Sequence, residues 1–329
     1  MARSIKEAQL NNGIITSTPS TSDPLAGIFY MVSISVIIPA YNVNEYLGDA
    51  CNSILSQTFF DWECIIIDDG SIDTTAAIAG RFCKRDSRFR LVRQSNSGVS
   101  AARNLGISLS RGTYMAFLDA DDILEADAFE LWIKTLEDAP ECILAWGRAL
   151  RFEDSSGLVK DIPWKNYLAT GCAWHDMLVH DFIPMGTFCL RRTMLPDNCR
   201  FRPDLTHAED RDFILRVLRN NAAVEIKNLV LRIRLRATSA SHDSQAAIEN
   251  ELCIMYEHLD DPALPNNIRR RANSALAFRC AVIAAFTGHQ YGKSLMWYFK
   301  AIVRDPLNIN IFLLPLRKGL MVLRQLLRF

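Results

Sequence analysis

The amino-acid sequence predicts an α/β protein with a mostly parallel sheet that is covered by helices on both faces. Two observations predict this fold class. Short apolar runs alternate with segments of helical periodicity five times between residues 33 and 150. Four of these runs are followed directly by polar stretches, namely PAYN, DDGSID, SNSG and DADD. Ligands of such sheets bind beyond the carboxyl ends of the strands, so the polar stretches are predicted to converge there.

The first strand is predicted in SISVII, residues 33–38, because the run is rich in β-branched residues and Pro39 closes it. The apolar spacing then becomes helical from Asn44 to Gln57. The following pairs are WECIII with a helix that opens at Asp73, FRLV with a helix through AARNLGISL, and YMAFL with a helix from Glu125 to Glu137, before a last strand in ILAWGRAL.

The alternation weakens after about residue 150, where MGTFCLRR and EIKNLVLRIRLR read as later strands and AEDRDFILRVLRN as a helix. The pattern predicts three segments. Residues 1–30 form a flexible tail around STPSTSDP, residues 31–243 form the α/β domain with halves at about 31–150 and 151–243, and residues 244–329 are helical. Met31 directly precedes the first strand, so we consider translation from Met31 as a hypothesis that N-terminal sequencing would test.

Composition restricts the classes of partner. The chain has 329 residues, 49% of them hydrophobic, which is enough for a large core. Lys plus Arg and Asp plus Glu each total 37, so no global basic field attracts nucleic acid. Nine cysteines without a C-x-x-C pair, and an N-terminal tail that lacks a long apolar run, predict a reducing, cytoplasmic location.

Three carboxylates stand close together in TYMAFLDADDILEADAF, residues 113–129, where Asp119, Asp121 and Asp122 follow an apolar run. Like charges at this spacing repel one another unless a positive group lies among them. A bound metal ion is the simplest explanation. Taken singly, the other stretches have ordinary structural interpretations, DDGSID as a turn with a helix cap and SNSGVS as a loop, but their joint position at strand ends favours a binding site.

The segment from Ser35 to Asp122 resembles glycosyltransferase family 2, the inverting enzymes of the GT-A fold, including those of bacterial polysaccharide synthesis. SVIIPAYNVNEYL, SILSQTFFDWECIIIDDGSIDTT and SNSGVSAARNLGISLSRGTYMAFLDADD follow the family pattern in order and spacing. The resemblance implies a GT-A domain at residues 31–243, with a nucleotide-sugar half followed by an acceptor half. It also implies a nucleoside-diphosphate sugar donor, with UDP as the first expectation.

The resemblance implies a divalent cation, Mn²⁺ or Mg²⁺, because the anionic leaving group of the donor must be stabilised. Asp121 would ligate this cation, Asp119 would face the ribose or share the metal, and Asp122 would assist or cap the next helix. The implied nucleotide pocket comprises Pro39, Ala40, Tyr41, Glu45, Asp68, Asp69, Gly98 and Arg103. A surface ion pair is the alternative interpretation of Arg103.

Inversion requires a general base, and the resemblance assigns it to Asp210 in HAEDRDF, supported by Glu209. The pair could instead stabilise the N-terminus of a helix. Arg211 stands where the family usually has an aromatic residue. In RIRLRATSAS, the resemblance offers Arg234 and Arg236 as diphosphate contacts, and the alternative for these arginines is a solvated strand face.

The last segment is basic. Residues 293–329 contain seven Lys or Arg and one Asp, and IFLLPLRKGLMVLRQLLRF places Arg317, Arg324 and Arg328 on one face of an amphipathic helix. Such a helix would bind an anionic membrane from the cytosolic side, or pack on the catalytic domain or a second subunit. The expected acceptor is a saccharide or a lipid-linked acceptor, and the membrane interpretation favours a lipid-linked saccharide on the cytosolic face.

Two other functions compete with the transferase. Haloacid-dehalogenase-like phosphatases also place Asp-x-Asp after a strand, but early in the chain and followed by Gly and then Thr or Val, whereas Asp122 and Ile123 occupy those places here. The other alternative is a non-catalytic nucleotide-sugar-binding module at a membrane. Retention of Asp121 and of the Glu209–Asp210 pair argues against it.

Overall fold

A computed structural model describes residues 33–154, 159–161, 171–180, 183–236, 244–286 and 291–304. The predicted tail at residues 1–30, the proposed start at Met31 and the predicted amphipathic helix at 311–329 lie outside these ranges. In the described part of the chain, each helix is too short or too polar to span a lipid bilayer.

The strands in the described ranges are β1 Ile34–Ala40, β2 Trp62–Asp68, β3 Phe89–Arg93, β4 Tyr114–Phe117, β5 Ile123–Leu124, β6 Cys142–Phe152, β7 Val159–Asp161, β8 Phe188–Arg191 and β9 Ala222–Arg234. The helices are α1 Leu47–Leu55, α2 Thr75–Arg85, α3 Val99–Leu109, α4 Ala128–Asp138, α5 Ala173–His180, α6 Glu209–Leu218, α7 Ser244–Leu259, α8 Asn266–Phe286 and α9 Tyr291–Arg304, with a 3-10 turn at Arg192–Met194.

The described strands form one sheet in the order β3-β2-β1-β4-β8-β6-β9-β5, with β7 paired to β6. The strands β3, β2, β1 and β4 are parallel. Beyond β4 the sheet is mixed, because β8 pairs antiparallel with both β4 and β6 while β9 runs parallel to β6. The α/β fold class with flanking helices is therefore confirmed, and the parallel character belongs to the first four strands.

Both faces of β1 are covered. Ile34, Val36 and Ile38 join the apolar cluster beneath α1, α2 and α4, whereas Ile37 joins the cluster on the opposite face with α3, α5 and α6. Every residue of β1 is buried, as expected for a central strand of a parallel sheet. This explains why SISVII is a continuous apolar run rather than an alternating one.

The second half of the sheet contains three elements that periodicity did not predict, namely β5, α5 and β7, of which β7 pairs with β6. The two-residue strand β5 pairs with β9 and lies directly after the acidic stretch. Helix α5 packs against α6 and α8 and contributes Trp174, Met177 and Leu178 to the core. The β5 segment is too short to show a period, so only its partner β9 reveals it.

Candidate active site

The carboxyl ends of the first strands meet at one edge of the sheet. Ala40 is in register with Asp68, and Asp68 is in register with Arg93. The ladder continues past the strand ends, since the backbone N–H of Asp69 donates to Ala40 O at 2.8 Å. Three of the polar stretches therefore begin side by side.

The two acidic residues after β2 are engaged in hydrogen bonds within the protein. The carboxylate of Asp68, whose side chain is fully buried, accepts from Arg93 Nε at 2.7 Å and from the Ser71 N–H at 3.2 Å. Asp69 accepts from the N–H groups of Ser97 and Gly98, both at 2.9 Å. Their observed role is to join the β2 and β3 loops, and contact with a nucleobase stays a prediction.

The loop after β1 carries the other predicted nucleotide contacts. Pro39 and Ala40 are buried in β1, and Tyr41 is 47% exposed at its end. Asn42 has a φ of 50°, a left-handed conformation that asparagine tolerates, and its Oδ1 accepts from the Ile72 N–H at 3.0 Å. Glu45 lies on the rim of a groove of about 360 Å³ between α1 and α2. Tyr41 and Glu45 are thus exposed to a ligand, whereas Pro39 and Ala40 are buried.

Gly98 initiates α3 with a φ of 87°. The space where its Cβ would stand is open, so the left-handed backbone conformation, rather than crowding, explains glycine at this position. Gly106, further along α3, lies so close to β1 that an added Cβ would stand 2.3 Å from Ile37 Cγ2. This close approach holds α3, and with it Arg103, against the sheet.

Arg103 joins the acidic stretch to the predicted catalytic pair. Its Nη2 donates to Asp119 Oδ1 at 2.9 Å and its Nη1 to Glu209 Oε1 at 2.8 Å. The arginine is 3% exposed, and its pKa is raised because the attraction of Asp119 and Glu209 outweighs the burial that would lower it. The alternative interpretation as a surface ion pair is therefore wrong: this is a buried bridge between two loops.

The neighbour of Arg103 strengthens the same junction. Asn104 Nδ2 donates to Phe201 O, and the Phe201 N–H donates to Asn104 Oδ1, both at 2.8 Å. Phe201 in turn stacks on Phe213 of α6 with ring centroids 4.1 Å apart. Asn104 and Phe201 were not predicted as site residues. Their signal was present only in the adjacency of Asn104 to Arg103.

The predicted catalytic pair occupies the first turn of α6. Ala208, directly before it, has a φ of 58°, which is unusual for a residue with a Cβ and costs about 1–3 kcal/mol. Asp210 Oδ1 accepts from the Arg211 N–H at 2.7 Å, and Glu209 is held by Arg103. The helix N-terminus favours these negative charges, as the alternative interpretation expected, and the pair also faces the acidic stretch through Arg103.

Strand β9 ends against the acidic stretch. The Arg234 N–H donates to Asp122 Oδ1 at 2.9 Å, and Arg234 Nε donates to Asp121 O at 2.9 Å. Arg236 Nε lies 2.7 Å from Asp121 Oδ2. Asp122 thus fixes β9 and does not cap α4, which begins six residues later, so that part of the prediction is wrong.

The two arginines predicted to contact the diphosphate differ in their surroundings. Arg234 is 6% exposed, and its guanidinium also pairs with Asp49 at 2.8 Å and with Asp154. It is not on a solvated face. Arg236 is about one-quarter exposed and has the Asp121 carboxylate beside it. A diphosphate would reach Arg236 more readily than the enclosed Arg234.

The acidic stretch fits a hard divalent cation. Burial, and then the charge of Asp119, raise the pKa values of Asp121 and of Asp122, the latter to about 8. A bound cation would offset both the burial and the repulsion from Asp119, and would thereby favour the ionised carboxylates. Among the described residues no group of three His, Cys, Asp or Glu side chains converges as a complete cage. The oxygens of Asp119 and Asp121 would therefore hold the ion together with water or phosphate, as is usual for Mg²⁺.

Comparison with solved structures defines the class of fold. The S. aureus protein TarS, residues 1–349, superposes with a TM-score of 0.62 at 17% identity and 83% coverage of this chain and 81% of that one. The mannosyltransferase PcManGT from Pyrobaculum calidifontis, solved with GDP-Man and Mn²⁺, superposes with a TM-score of 0.61 at 15% identity, covering 89% and 81%. The fold is that of the GT-A glycosyltransferases.

Sequence comparison gives the family. Residues 35–195, just under half of the chain, match the sequence model "Glycosyl transferase family 2", so this segment is a domain of that family. The uncharacterized glycosyltransferase EpsJ of Bacillus subtilis (strain 168) is 32% identical over 199 residues, 59% of this chain and 58% of EpsJ. Chondroitin synthase of Pasteurella multocida is 32% identical over 190 residues, 56% of this chain and 18% of that protein. The chain thus matches little more than half the length of EpsJ and less of the synthase.

Proposed function

We propose that this protein is an inverting glycosyltransferase that moves a sugar from a nucleoside-diphosphate sugar to a hydroxyl of a saccharide or lipid-linked acceptor. The observation that carries the proposal is the buried Arg103 bridge, which brings the acidic donor stretch and the Glu209–Asp210 pair together. A donor-binding carboxylate and a base must flank the same sugar in a direct displacement. The resemblance predicted both groups, and the fold joins them.

In the proposed mechanism, the carboxylates of Asp119 and Asp121 would hold Mn²⁺ or Mg²⁺. When bound, the cation supplies charge stabilisation for the departing nucleoside diphosphate. Arg236 adds a positive group beside Asp121, and Tyr41 offers an exposed ring for the nucleotide. Asp210 accepts the proton of the attacking hydroxyl, while Glu209 is held in place by Arg103.

The donor is proposed to be a UDP-sugar, and the pathway to be polysaccharide synthesis. Among the similar structures, TarS was solved with UDP and with UDP-GlcNAc, while PcManGT was solved with GDP-Man. The similarity to chondroitin synthase supports a saccharide acceptor. The nine cysteines are all free thiols, which supports the cytoplasm as the compartment.

We also propose that the enzyme binds the cytosolic face of an anionic membrane. An exposed apolar surface on α9 supports this proposal. Helix α9 packs on α8 through Ala301 and through a hydrogen bond from Ser294 Oγ to Ala281 O at 2.8 Å. Away from α8, Met296, Phe299 and Val303 are 45%, 57% and 80% exposed. Their spacing places them on one face of the helix.

The charge of α9 suits the same partner. Exposed Lys293 and Lys300 accompany the apolar face, and the helix contains no Asp or Glu. This combination binds anionic lipid headgroups. We expect sedimentation with phosphatidylglycerol vesicles and weaker sedimentation with phosphatidylcholine vesicles. Phe299→Glu/Val303→Glu should abolish it, whereas Phe60→Glu, at a 74% exposed phenylalanine elsewhere, should not. Equal binding by all three proteins would refute the surface.

The transferase proposal is tested by calorimetric titration with UDP, GDP and dTDP, each with and without Mn²⁺. We expect one nucleotide to bind tightly only with the metal, and Asp121→Asn to lose that binding. Asp127→Asn, at an exposed carboxylate nearby, is the matched control and should bind like the wild type. Release of nucleoside diphosphate from UDP-GlcNAc or GDP-mannose then reports turnover. Binding without turnover would favour the non-catalytic module, and hydrolysis of simple phosphoesters would favour the phosphatase.

A further inference from the structure

Arg211 follows the catalytic pair in α6, yet its side chain points away from it, into the helical layer. The arginine is 2% exposed. Its Nη1 lies 2.5 Å from Glu251 Oε2 of α7, and its Nη2 donates to Leu178 O of α5 at 3.3 Å. One side chain therefore ties the first turn of α6 to two other helices.

Glu251 extends this connection to α8. Arg279 Nε donates to Glu251 Oε2 at 3.2 Å, so one carboxylate oxygen serves two guanidinium groups. Burial alone would raise the pKa of Glu251, but the attraction of Arg211 and Arg279 outweighs it and the pKa is lowered. The charged cluster of Arg211, Glu251 and Arg279 thus lies at the junction of α6, α7 and α8, with Arg211 and Glu251 buried and Arg279 partly exposed.

Stability is a poor reason for such a cluster. Burying charges costs several kcal/mol for each ion, and replacing a buried ion pair by apolar residues of similar volume is often neutral or stabilising. Directional hydrogen bonds do, however, fix orientation more narrowly than apolar contacts do. The orientation fixed here is that of the turn that carries Glu209 and Asp210.

That turn requires support from outside itself. The left-handed Ala208 directly before it is a strained conformation, which persists only where the surroundings enforce it. Arg103 holds the turn on the sheet side through Glu209, and Arg211 holds it on the helical side through Glu251. Helices α7 and α8 lie beyond residues 35–195, the part of the chain that matches the family.

We propose that Arg211 is a positioning residue, anchored by Glu251, that aims the Asp210 carboxylate at the acceptor hydroxyl and makes α7 and α8 part of the catalytic unit. The proposal rests on the proposed transferase function. It states that α7 and α8, which like α6 and Asp210 lie beyond the family-matching segment, set the geometry of the base. Arg211 itself does not touch the substrate in this proposal.

The test uses the apolar double variant Arg211→Met/Glu251→Leu, which removes the buried ion pair as a unit. Arg279 loses Glu251, but its side chain is 17% exposed and can be hydrated, so folding should be preserved. We expect the urea midpoint of the double variant to match the wild type and its affinity for UDP with Mn²⁺ to stay within twofold. Its kcat with UDP-GlcNAc or GDP-mannose, whichever the wild type turns over, should fall by about 100-fold, the usual effect of displacing a reacting group by about 1 Å. The donor KM should change little.

A matched control uses the other end of the same helix. Arg219 pairs with Asp261 at 2.7 Å, so Arg219→Met removes an ion pair between α6 and the turn after α7 without touching the first turn. This variant should keep the wild-type kcat. Arg211→Lys should recover part of the lost activity, because a single ammonium can still reach Glu251. A folded double variant whose kcat lies within threefold of the wild type would overturn the proposal.

Hydrogen exchange of the peptide spanning residues 205–215 gives a readout that does not depend on turnover. We expect faster exchange in the double variant at unchanged global stability. Unchanged exchange would refute the positioning role even if the enzyme is a transferase. A wild type that neither binds a nucleotide nor turns over a donor would refute the transferase function instead, so the two failures are distinguishable.

Discussion

Arg103 Nη1 and Glu209 Oε1 are 2.8 Å apart, although 106 positions separate them in the chain. The same guanidinium holds Asp119, so a single buried arginine sets the distance between the acidic donor stretch and Glu209, the neighbour of the proposed base Asp210. The two carboxylates repel each other without it. The spacing between the two halves of the site therefore depends on one residue.

Replacing Arg103 should impair both catalysis and the stability of the fold. We expect Arg103→Met to lower kcat/KM by at least about 100-fold and to destabilise the fold by about 3–5 kcal/mol, because it leaves two carboxylates partly buried without their partner. Arg103→Lys should be intermediate, since an ammonium lacks the fork that reaches two carboxylates. Donor turnover and urea unfolding measure the two effects.

The control for that experiment is Arg232→Met. Arg232 pairs with Glu125 at 2.5 Å, and both side chains reach solvent, since they are 50% and 22% exposed. This variant should lose far less stability than Arg103→Met. Equal effects of the two changes would show that the bridge has no special role.

Replacing the proposed base, Asp210, should slow the chemical step and leave the affinity for the donor nucleotide unchanged. We expect Asp210→Asn to lower kcat by about 10²–10⁴-fold while the affinity for UDP with Mn²⁺ stays within twofold. The amide keeps the shape of the side chain but cannot accept the proton. Asp204→Asn, at a side chain 65% exposed before the same helix, serves as the control and should retain full activity. Loss of UDP binding in Asp210→Asn would assign this residue to the donor pocket.

The turn after β2 should depend on glycine. Gly70 has a φ of 77°, and an added Cβ would stand 2.8 Å from the backbone N of Asn96. We expect Gly70→Ala to destabilise the protein by about 2–4 kcal/mol in urea titration. Gly80→Ala in α2, where a Cβ meets nothing within 4 Å, should instead stabilise it by about 0.5–1 kcal/mol. Similar results for both alanines would contradict the structural argument.

The free energy of unfolding should decrease in mild acid because of His258. Burial, followed by the positive charge of Arg219, lowers the pKa of His258 from 6.5 to about 4. The charged groups around it are Arg211, Arg216, Arg219 and Glu257, of which only Glu257 acts to raise the pKa. Between these two pKa values the unfolded chain binds more protons than the folded one, so stability falls as the pH falls from about 6.5 towards 4.

The expected loss from His258 between pH 7.5 and pH 5 is about 2 kcal/mol, measured by urea unfolding at both values. His258→Gln should remove most of this difference. His207→Gln should retain the pH-dependent difference in stability, because the His207 ring contacts the Thr206 hydroxyl at an exposed position. If wild type and His258→Gln lose the same stability, the histidine is not the cause.

Much of the first half of the fold is predictable because its information is local. The strands β1 to β4 are apolar runs with helices between them, and parallel pairing follows from that alternation. Strand β8 is different, since it enters the sheet between β4 and β6 with antiparallel pairing to both. Nothing in FCLR specifies these partners, which lie more than 70 residues away in β4 and more than 40 residues away in β6.

In the candidate site, too, the local motifs were predictable from the sequence and the long-range contacts were not. The motifs identify Asp119, Asp121 and Glu209, but they do not show that Arg103 is buried between two of them. The alternating arginines in RIRLR were equally consistent with diphosphate contacts and with a solvated strand face. The structure instead encloses Arg234 beside Asp49 and Asp154. An ion pair between distant segments leaves no periodicity in either of them.

The position of β9 has a consequence for biosynthesis. The acidic stretch is complete in the chain by Asp122, yet the strand that holds it ends at Arg234, whose N–H binds Asp122. A nascent chain that has emerged only as far as residue 195 contains the whole family-matching segment without that strand. We therefore expect the proposed cation site to become ordered late in translation, and a growing chain to stay inactive until its second half has folded.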